Sequence, residues 1–400
     1  VQELLLSTNF YNTSSNTKIG VSYSIDDFTT VSEITGGYDG TNVALANTAF
    51  GAFTAPALIT NGTSGTTQQF RFILNGDNGV VVPAGKTLKV RLYFSCGSTS
   101  SGRYAKLKSV YFKGAIDQQP VNGDFRTIAS GSWTDVSIWQ KYDGTNWNAV
   151  TDYPVYNSGG TSYIEKGHSV ILPTLTQGFG YCNNFYVKTG ATLTIPSGNT
   201  VNFANQSPNF FVDGNFVNSG SIGNNGTYNV KINAGGTFKN AGSLANVGSS
   251  NFTVAGTYEH AANSNTMPGA VSFEDGSTFL ISGITTSQTG ILKNTISYYN
   301  VTWDNPSQVN YYAFQGNLVS NIRGKFTVNS TGSTYLALLN NSGTIGLGSY
   351  EQNGGRVLVR ENSTVNAIFN VNGDFVVNSG TFESNSASVK LNLKGATGNY

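Results

Sequence analysis

Along the first 116 residues apolar and polar side chains alternate with a period of two. In KIGVSYSIDDF, Ile19, Val21, Tyr23 and Ile25 fall on one face of an extended chain. In QQFRFILNG, Phe70, Phe72 and Leu74 alternate with Arg71 and Ile73. After a Pro-Ala-Gly turn, Leu88, Val90, Leu92 and Phe94 share the inward face of a further strand, and YAKLKSVYFKG keeps the same period. No window carries convincing helical periodicity. Strands of this length joined by Gly, Asn and Ser turns predict a β-sandwich over residues 1–116.

A second periodicity starts near residue 181. FFVDGNFVNSGSIGNNG (210–226) returns in altered form as KINAGGTFKNAGSLANVG (231–248) and FNVNGDFVVNSGTFESNS (369–386). The glycines that precede each apolar pair, Gly190, Gly214, Gly236, Gly256 and Gly276, follow one another at 24, 22, 20 and 20 residues. Gly373 and Gly395 are 22 apart. Short strands on such a period predict a solenoid, here a right-handed parallel β-helix over 181–400, because one coil cannot bury its apolar face alone. Phe211/Val212, Val230/Ile232, Phe252/Val254 and Phe326/Val328 are the expected core pairs. The Gly and Asn residues are expected to supply left-handed turns. The Asn-Ser-Gly or Asn-Ala-Gly triplets at 218–220, 240–242, 341–343 and 378–380 are expected at equivalent corners, with their amides in hydrogen-bonded ladders. The segment 285–325 breaks the period and is expected to carry longer loops. Between the two regions, residues 117–180 read as a linker followed by a cap containing Trp133 and Trp139.

Composition agrees with stacking. Charged residues make up 11% of the 400, and 22 Lys+Arg nearly balance 21 Asp+Glu. Like charges stacked coil on coil would repel, which accounts for their scarcity. The balance leaves no basic field for nucleic acid. No apolar run reaches the roughly 18 residues of a membrane-spanning helix, so membrane insertion is not expected. The first residues, VQELLLSTNF, lack a signal-peptide pattern, which suggests a processed or internal piece of a longer protein. Cys96 and Cys182 fall in different predicted regions and are expected as buried free thiols.

Two stretches carry a resemblance. VPAGKTLKVRLYF followed by KSVYFKGAI is similar to the end of jelly-roll modules, themselves like carbohydrate-binding modules, in large surface proteins of Bacteroidetes. GSWTDVSIWQKYDGTNWNAV followed by TSYIEKGHSVIL, with Trp133, Trp139, Gly167, His168, Val170 and Leu172, resembles a signature that precedes a β-helix in such proteins. The resemblance implies an exported, cell-surface adhesin-like protein and the type IX secretion machinery as a partner during export.

Candidate chemistry is sparse. His168 and His260 read as turn residues without a catalytic partner in reach. Acids in the repeats, such as Asp213, Glu259 and Asp374, are scattered, and Glu274-Asp275 is their one adjacent pair. No paired-Asp, Gly-His-Gly or Arg-Ile-Lys pattern of β-helix hydrolases or lyases occurs there, and no nucleotide or zinc motif is visible. Asp26 and Asp27 offer oxygen ligands for a structural calcium, the one cofactor considered. Tyr298, Tyr299, Trp303, Tyr311, Tyr312 and Phe314 crowd the irregular middle; exposed, they would stack on sugar rings, and the first three with Tyr311 and Tyr312 form the expected ligand site. The sequence therefore suggests a non-enzymatic, extracellular structural and adhesive module of a large bacterial surface protein that binds surface or extracellular polysaccharide. Further domains or copies of a longer chain are the other expected partners. The rival reading is a polysaccharide lyase or glycoside hydrolase on the same scaffold. An ice-binding solenoid would want Thr-x-Thr ranks, and TLTI at 192–195 does not repeat.

Overall fold

The computed structural model divides into two compact units, Val1–Gln118 and Gln119–Tyr400. It describes residues 1, 3–11, 17–41, 51–59, 68–75, 79–83, 86–95, 104–114, 119–155, 160–174, 184–202, 208–223, 227–244, 250–264, 267–268, 270–286, 291–293, 295–314, 321–339, 343–360, 367–384 and 389–393. Cys96, Cys182, Asn341, Ser342 and Gly395 lie outside the described residues.

In the first unit, alternation puts every second side chain into one core. The strand Glu3–Tyr11 runs antiparallel between Gln68–Ile73 and Tyr104–Lys113, with Leu4 opposite Phe72 and Leu6 opposite Phe70. A second sheet is built on Lys18–Ser24, which pairs antiparallel with Ser32–Glu33, Ala57–Leu58 and Lys89–Ser95. Leu4, Leu6, Phe70 and Phe72 from one sheet and Ile19 and Val21 from the other form a single apolar cluster, which makes the unit a β-sandwich. Leu88, Val90 and Leu92 pack on that cluster only in part, and Phe94, expected inward, is 38% exposed. Among the described residues the strand Lys89–Ser95 pairs with Lys18–Ser24 alone, which places it at a sheet edge, where side chains are less fully covered.

The second unit is a parallel β-solenoid of about eight turns from residue 161 onward. On one face Asn184–Val187, Asn209–Val212, Asn229–Ile232 and Asn251–Val254 stack in register. On the next, Thr192–Ile195, Asn215–Asn218, Thr237–Asn240, Thr257–His260 and Thr278–Ile281 do the same. Short strands such as Ser221–Ile222 and Ser243–Leu244 make the third face. Stacking brings like residues together: Phe185 lies 4.1 Å from Phe210 and Phe216 lies 4.8 Å from Phe238, both as stacked rings. The first spacing is below and the second at the distance between neighbouring strands, so in both pairs the rings are in van der Waals contact. Val230/Ile232, Phe252/Val254 and Phe326/Val328 are buried as expected. The remaining pair is Phe210/Val212 rather than Phe211/Val212: consecutive strand residues face opposite ways, and Phe211 stacks outside on Tyr186 at 5.8 Å. The coil continues through the break in sequence period, since Asn300–Asp304 stacks on Thr278–Ile281 and Ile322–Ser330 stacks on Asn300–Asp304.

The repeat glycines do two jobs. Gly190 and Gly276 have φ of 78° and 90°, the left-handed turn expected of them. Gly214, Gly236 and Gly256 are needed for closeness instead. A Cβ on Gly236 would sit 2.0 Å from the Val212 carbonyl oxygen of the coil before it. Asn amides form ladders in two settings. On the surface, Nδ2 of Asn209, Asn229 and Asn251 each donates 3.1 Å to Oδ1 of Asn184, Asn209 and Asn229 respectively. Inside, Asn218 Nδ2 donates to Asn240 Oδ1 at 2.8 Å, both side chains fully buried. Several charges pair with opposite charges on successive coils. Lys239 meets its register partner Glu259 at 2.8 Å, and Lys188 meets Glu165 at 3.0 Å. Lys325–Glu351 and Arg356–Glu383 repeat the device, and Lys325 holds the Glu351 carboxyl below its ordinary value.

Adjacent glycines separate the two roles experimentally. Gly235, with φ of 90°, has open space where a Cβ would project, with nothing within 4 Å, so Gly235→Ala is expected to cost about 1–2 kcal/mol of left-handed backbone strain. Gly236→Ala, which must push two coils apart, is expected to cost about 3 kcal/mol. Urea unfolding followed by circular dichroism checks the order; equal costs would remove the close-approach explanation.

Candidate functional site

The start of the solenoid is closed by a hairpin. Phe125–Thr127 pairs parallel with Thr161–Ile164, the first coil strand, and Gly131–Ser132 pairs parallel with Ser169–Ile171. Trp139–Tyr142 then runs antiparallel on Phe125–Thr127, with Trp147–Ala149 as its hairpin partner. Trp133 and Trp139 are fully buried 4.8 Å apart, where they plug the core beside Val170 and Leu172. Burial leaves no indole unpaired. Trp133 Nε1 donates to the Pro154 carbonyl and Trp139 Nε1 to the Trp133 carbonyl, each at 2.9 Å. Gly167 turns with φ of 84°, and His168 Nδ1 lies 2.8 Å from Thr127 Oγ1, which also accepts the Glu165 N–H. The residues of the Gly-His stretch thus tie the cap to the first coil.

A cleft of about 550 Å³ opens beside this hairpin. Phe125 forms its buried base, and Val150 and Tyr153 pack in part on the core cluster. Tyr142 and Tyr153 are half-buried, so each has ring surface left to offer. Tyr142 is braced by Trp147 at 5.1 Å, and the Arg126 guanidinium lies 4.5 Å from the Trp147 ring. Arg126 is itself fixed by two hydrogen bonds to Gln140 Oε1. Asn122, Asn148 and Thr151 add uncharged polar groups.

Three charged side chains complete the lining: Lys141, Asp143 and Asp152. Asp143 opens the turn Asp143-Gly144-Thr145-Asn146, in which Gly144 has φ of 99°. Its Oδ1 accepts the N–H groups of Thr145 and Asn146 at 2.8 and 2.7 Å, and its Oδ2 accepts Asn148 Nδ2 at 2.7 Å. The Asn146 and Thr145 amides, then Asn148, hold this carboxyl below the usual aspartate range. Asp143 is therefore a fixed anion and acceptor. A general acid needs the opposite shift.

The sequence points elsewhere, to the aromatic middle, and the structure corrects it. Tyr298, Trp303 and Tyr312 are fully buried core residues, and Phe314 is 3% exposed. Trp303 Nε1 donates to Gln308 Oε1 at 3.1 Å, and Tyr312 packs 4.7 Å from Trp303. These rings fill the coil where the sequence period breaks, so they cannot present a face to a sugar. Tyr299 lies under the Arg323 guanidinium at 5.4 Å. Tyr311 is 44% exposed and stacks 5.2 Å from Tyr335 of the next coil. The five are thus not one site.

The expected calcium ligands are also otherwise engaged. Asp26 Oδ1 accepts Ser24 Oγ at 2.6 Å and the Thr30 N–H at 3.0 Å, its Oδ2 accepts Thr30 Oγ1, and its pKa is lowered to about 2, first by Ser24. Asp27 carries Lys89 as an ion-pair partner. Calcium wants six or more oxygens, and among the described residues no group of three or more His, Cys, Asp or Glu is placed to hold a metal ion. His260, expected in an exposed turn, is fully buried at the inward end of Thr257–His260, next in register after Asn240. Its Nε2 donates to the Ser264 carbonyl at 2.7 Å.

Sequence reasoning misses the cleft because the Trp133–Trp139 segment reads only as a plug. A signal is present all the same: Tyr142-Asp143 and Asp152-Tyr153 place an aromatic beside a carboxylate on either side of one hairpin strand. No family model matches the chain, and no curated protein or solved structure matches it.

Burial lowers the His260 pKa in the folded state. The stabilisation from its neutral form is complete above the unfolded value of about 6.5 and is lost as pH falls below it. The thermal midpoint of the second unit is therefore expected to drop between about pH 7 and pH 5, and His260→Gln is expected to flatten that part of the profile. An unchanged slope in His260→Gln assigns the pH dependence to other groups.

Proposed function

We propose that the chain is a non-enzymatic structural and adhesive module of a large, exported bacterial surface protein, and that it holds polysaccharide at the cap cleft. The observation that carries this reading is the cleft itself: ring surface from Tyr142 and Tyr153 beside fixed hydrogen-bonding groups, set on the rigid end of a solenoid. Sugars present C–H faces to aromatic rings and hydroxyls to carboxylates and amides. A stack of in-register coils makes a stiff spacer, which suits a module that displays a binding site away from its anchor. The resemblance of the Trp133–Trp139 and Gly167–His168 stretches to Bacteroidetes surface proteins supports a cell-surface location and export by the type IX system.

A hydrolase is the second reading, since Asp143 and Asp152 line one cleft and glycosidases use paired carboxyls. The lowered pKa of Asp143 speaks against it as a proton donor.

Incubation with pectin, alginate and plant or algal glucans, with affinity electrophoresis in the same polysaccharides, tests both. Retarded migration in at least one of the neutral glucans, without new chain ends from any of the polysaccharides, is expected, with little sensitivity to salt because the whole chain carries a net charge of +1. Cleavage abolished by Asp152→Asn would replace adhesion with hydrolysis.

A further inference from the structure

The charges around the cleft discriminate among glycans. We infer that the cap cleft takes uncharged pyranose oligosaccharides and turns away uronate-bearing or sulfated ones; this rests on the glycan-binding reading above. Two carboxylates, Asp143 and Asp152, face one cation, Lys141. Hydrogen bonds from Thr145, Asn146 and Asn148 keep Asp143 ionised. The Lys141 ammonium lies 5.1 Å from the Phe125 ring centroid, within cation–π distance of that ring. A sugar carboxylate or sulfate entering here meets an excess of negative charge, and like-charge juxtaposition is a strong means of rejection. A neutral ring meets complementary groups. Tyr142 and Tyr153 offer ring surface, and a carboxylate has about four acceptor sites. Three of those on Asp143 are taken, which leaves about one for a sugar hydroxyl, while Asp152 stands exposed at the rim. Asn122 and Asn148 supply amides that can both donate and accept. At about 550 Å³ the cleft falls within the range of small-ligand sites and has room for a short oligosaccharide.

The test is calorimetric titration of the full chain with neutral gluco-, xylo- and manno-oligosaccharides and with oligogalacturonates and oligomannuronates of the same length. At least one neutral series is expected to bind, and the uronates at least about tenfold more weakly. Tyr142→Ala is expected to weaken the neutral ligand by about tenfold or more. Asp152→Lys, at an exposed position where folding is not at stake, is expected to reduce or reverse the discrimination against uronates. Uronates that bind wild type as tightly as neutral sugars, with Tyr142→Ala weakening both, would overturn the charge selection and leave glycan binding intact. Neutral binding untouched by both variants places the glycan elsewhere and overturns the cleft. No binding by any oligosaccharide removes the glycan reading and this inference together.

Discussion

Parallel strands stacked in register, one strand spacing apart, are the constraint from which the second unit follows. Each residue must be compatible with its counterpart in the coils on either side. Aromatic rings satisfy this by stacking, as in Phe185–Phe210 and Phe216–Phe238. Asn satisfies it because one amide both donates and accepts, so Asn184, Asn209, Asn229 and Asn251 form a self-continuing chain. A carboxylate or ammonium cannot pair with its own kind. At Lys239–Glu259 and Lys325–Glu351 the neighbouring coil supplies the opposite sign instead.

The same closeness governs the backbone. Gly214, Gly236 and Gly256 recur because the carbonyl of a neighbouring coil occupies the space of a Cβ. Inside the stack, the Asn218–Asn240 ladder is polar yet buried, and His260 takes the next rung with a hydrogen bond to Ser264. The Asn218 amide nitrogen donates both to Asn240 Oδ1 and to the Ser243 carbonyl, which offsets the burial of its N–H groups. The imidazole ends the amide series, and its burial makes it the rung most sensitive to protonation.

A ladder of this kind needs an end. Phe125–Thr127 covers the edge of the first coil strand Thr161–Ile164, and the hairpin Trp139–Tyr142 and Trp147–Ala149 covers the other edge of Phe125–Thr127. Because the hairpin pairs antiparallel, it escapes the in-register rule, and its residues need not match a coil above. That freedom is what allows Tyr142, Asp143, Asn148, Asp152 and Tyr153 to gather as unlike neighbours. The cleft lies where repetition stops.

The sequence by itself determined the all-β character, the sandwich-then-solenoid order, the Asn ladder at 218 and 240, and the core pairs at 230/232, 252/254 and 326/328. Each is a local pattern, period two within a strand or a spacing of 20 to 24 between coils, and local patterns are written in order along the chain. Tertiary structure alone decided which face each residue of an apolar doublet took, so Phe210 rather than Phe211 lies inside. It decided that Tyr298, Trp303 and Tyr312 are core, since the break at 285–325 hid their register with coils before and after. It also assembled the cleft, whose residues span 122 to 155 and meet only when the hairpin folds back on the first strand. Proximity across a fold depends on how strands pair, and pairing partners are not marked by the composition of either strand alone.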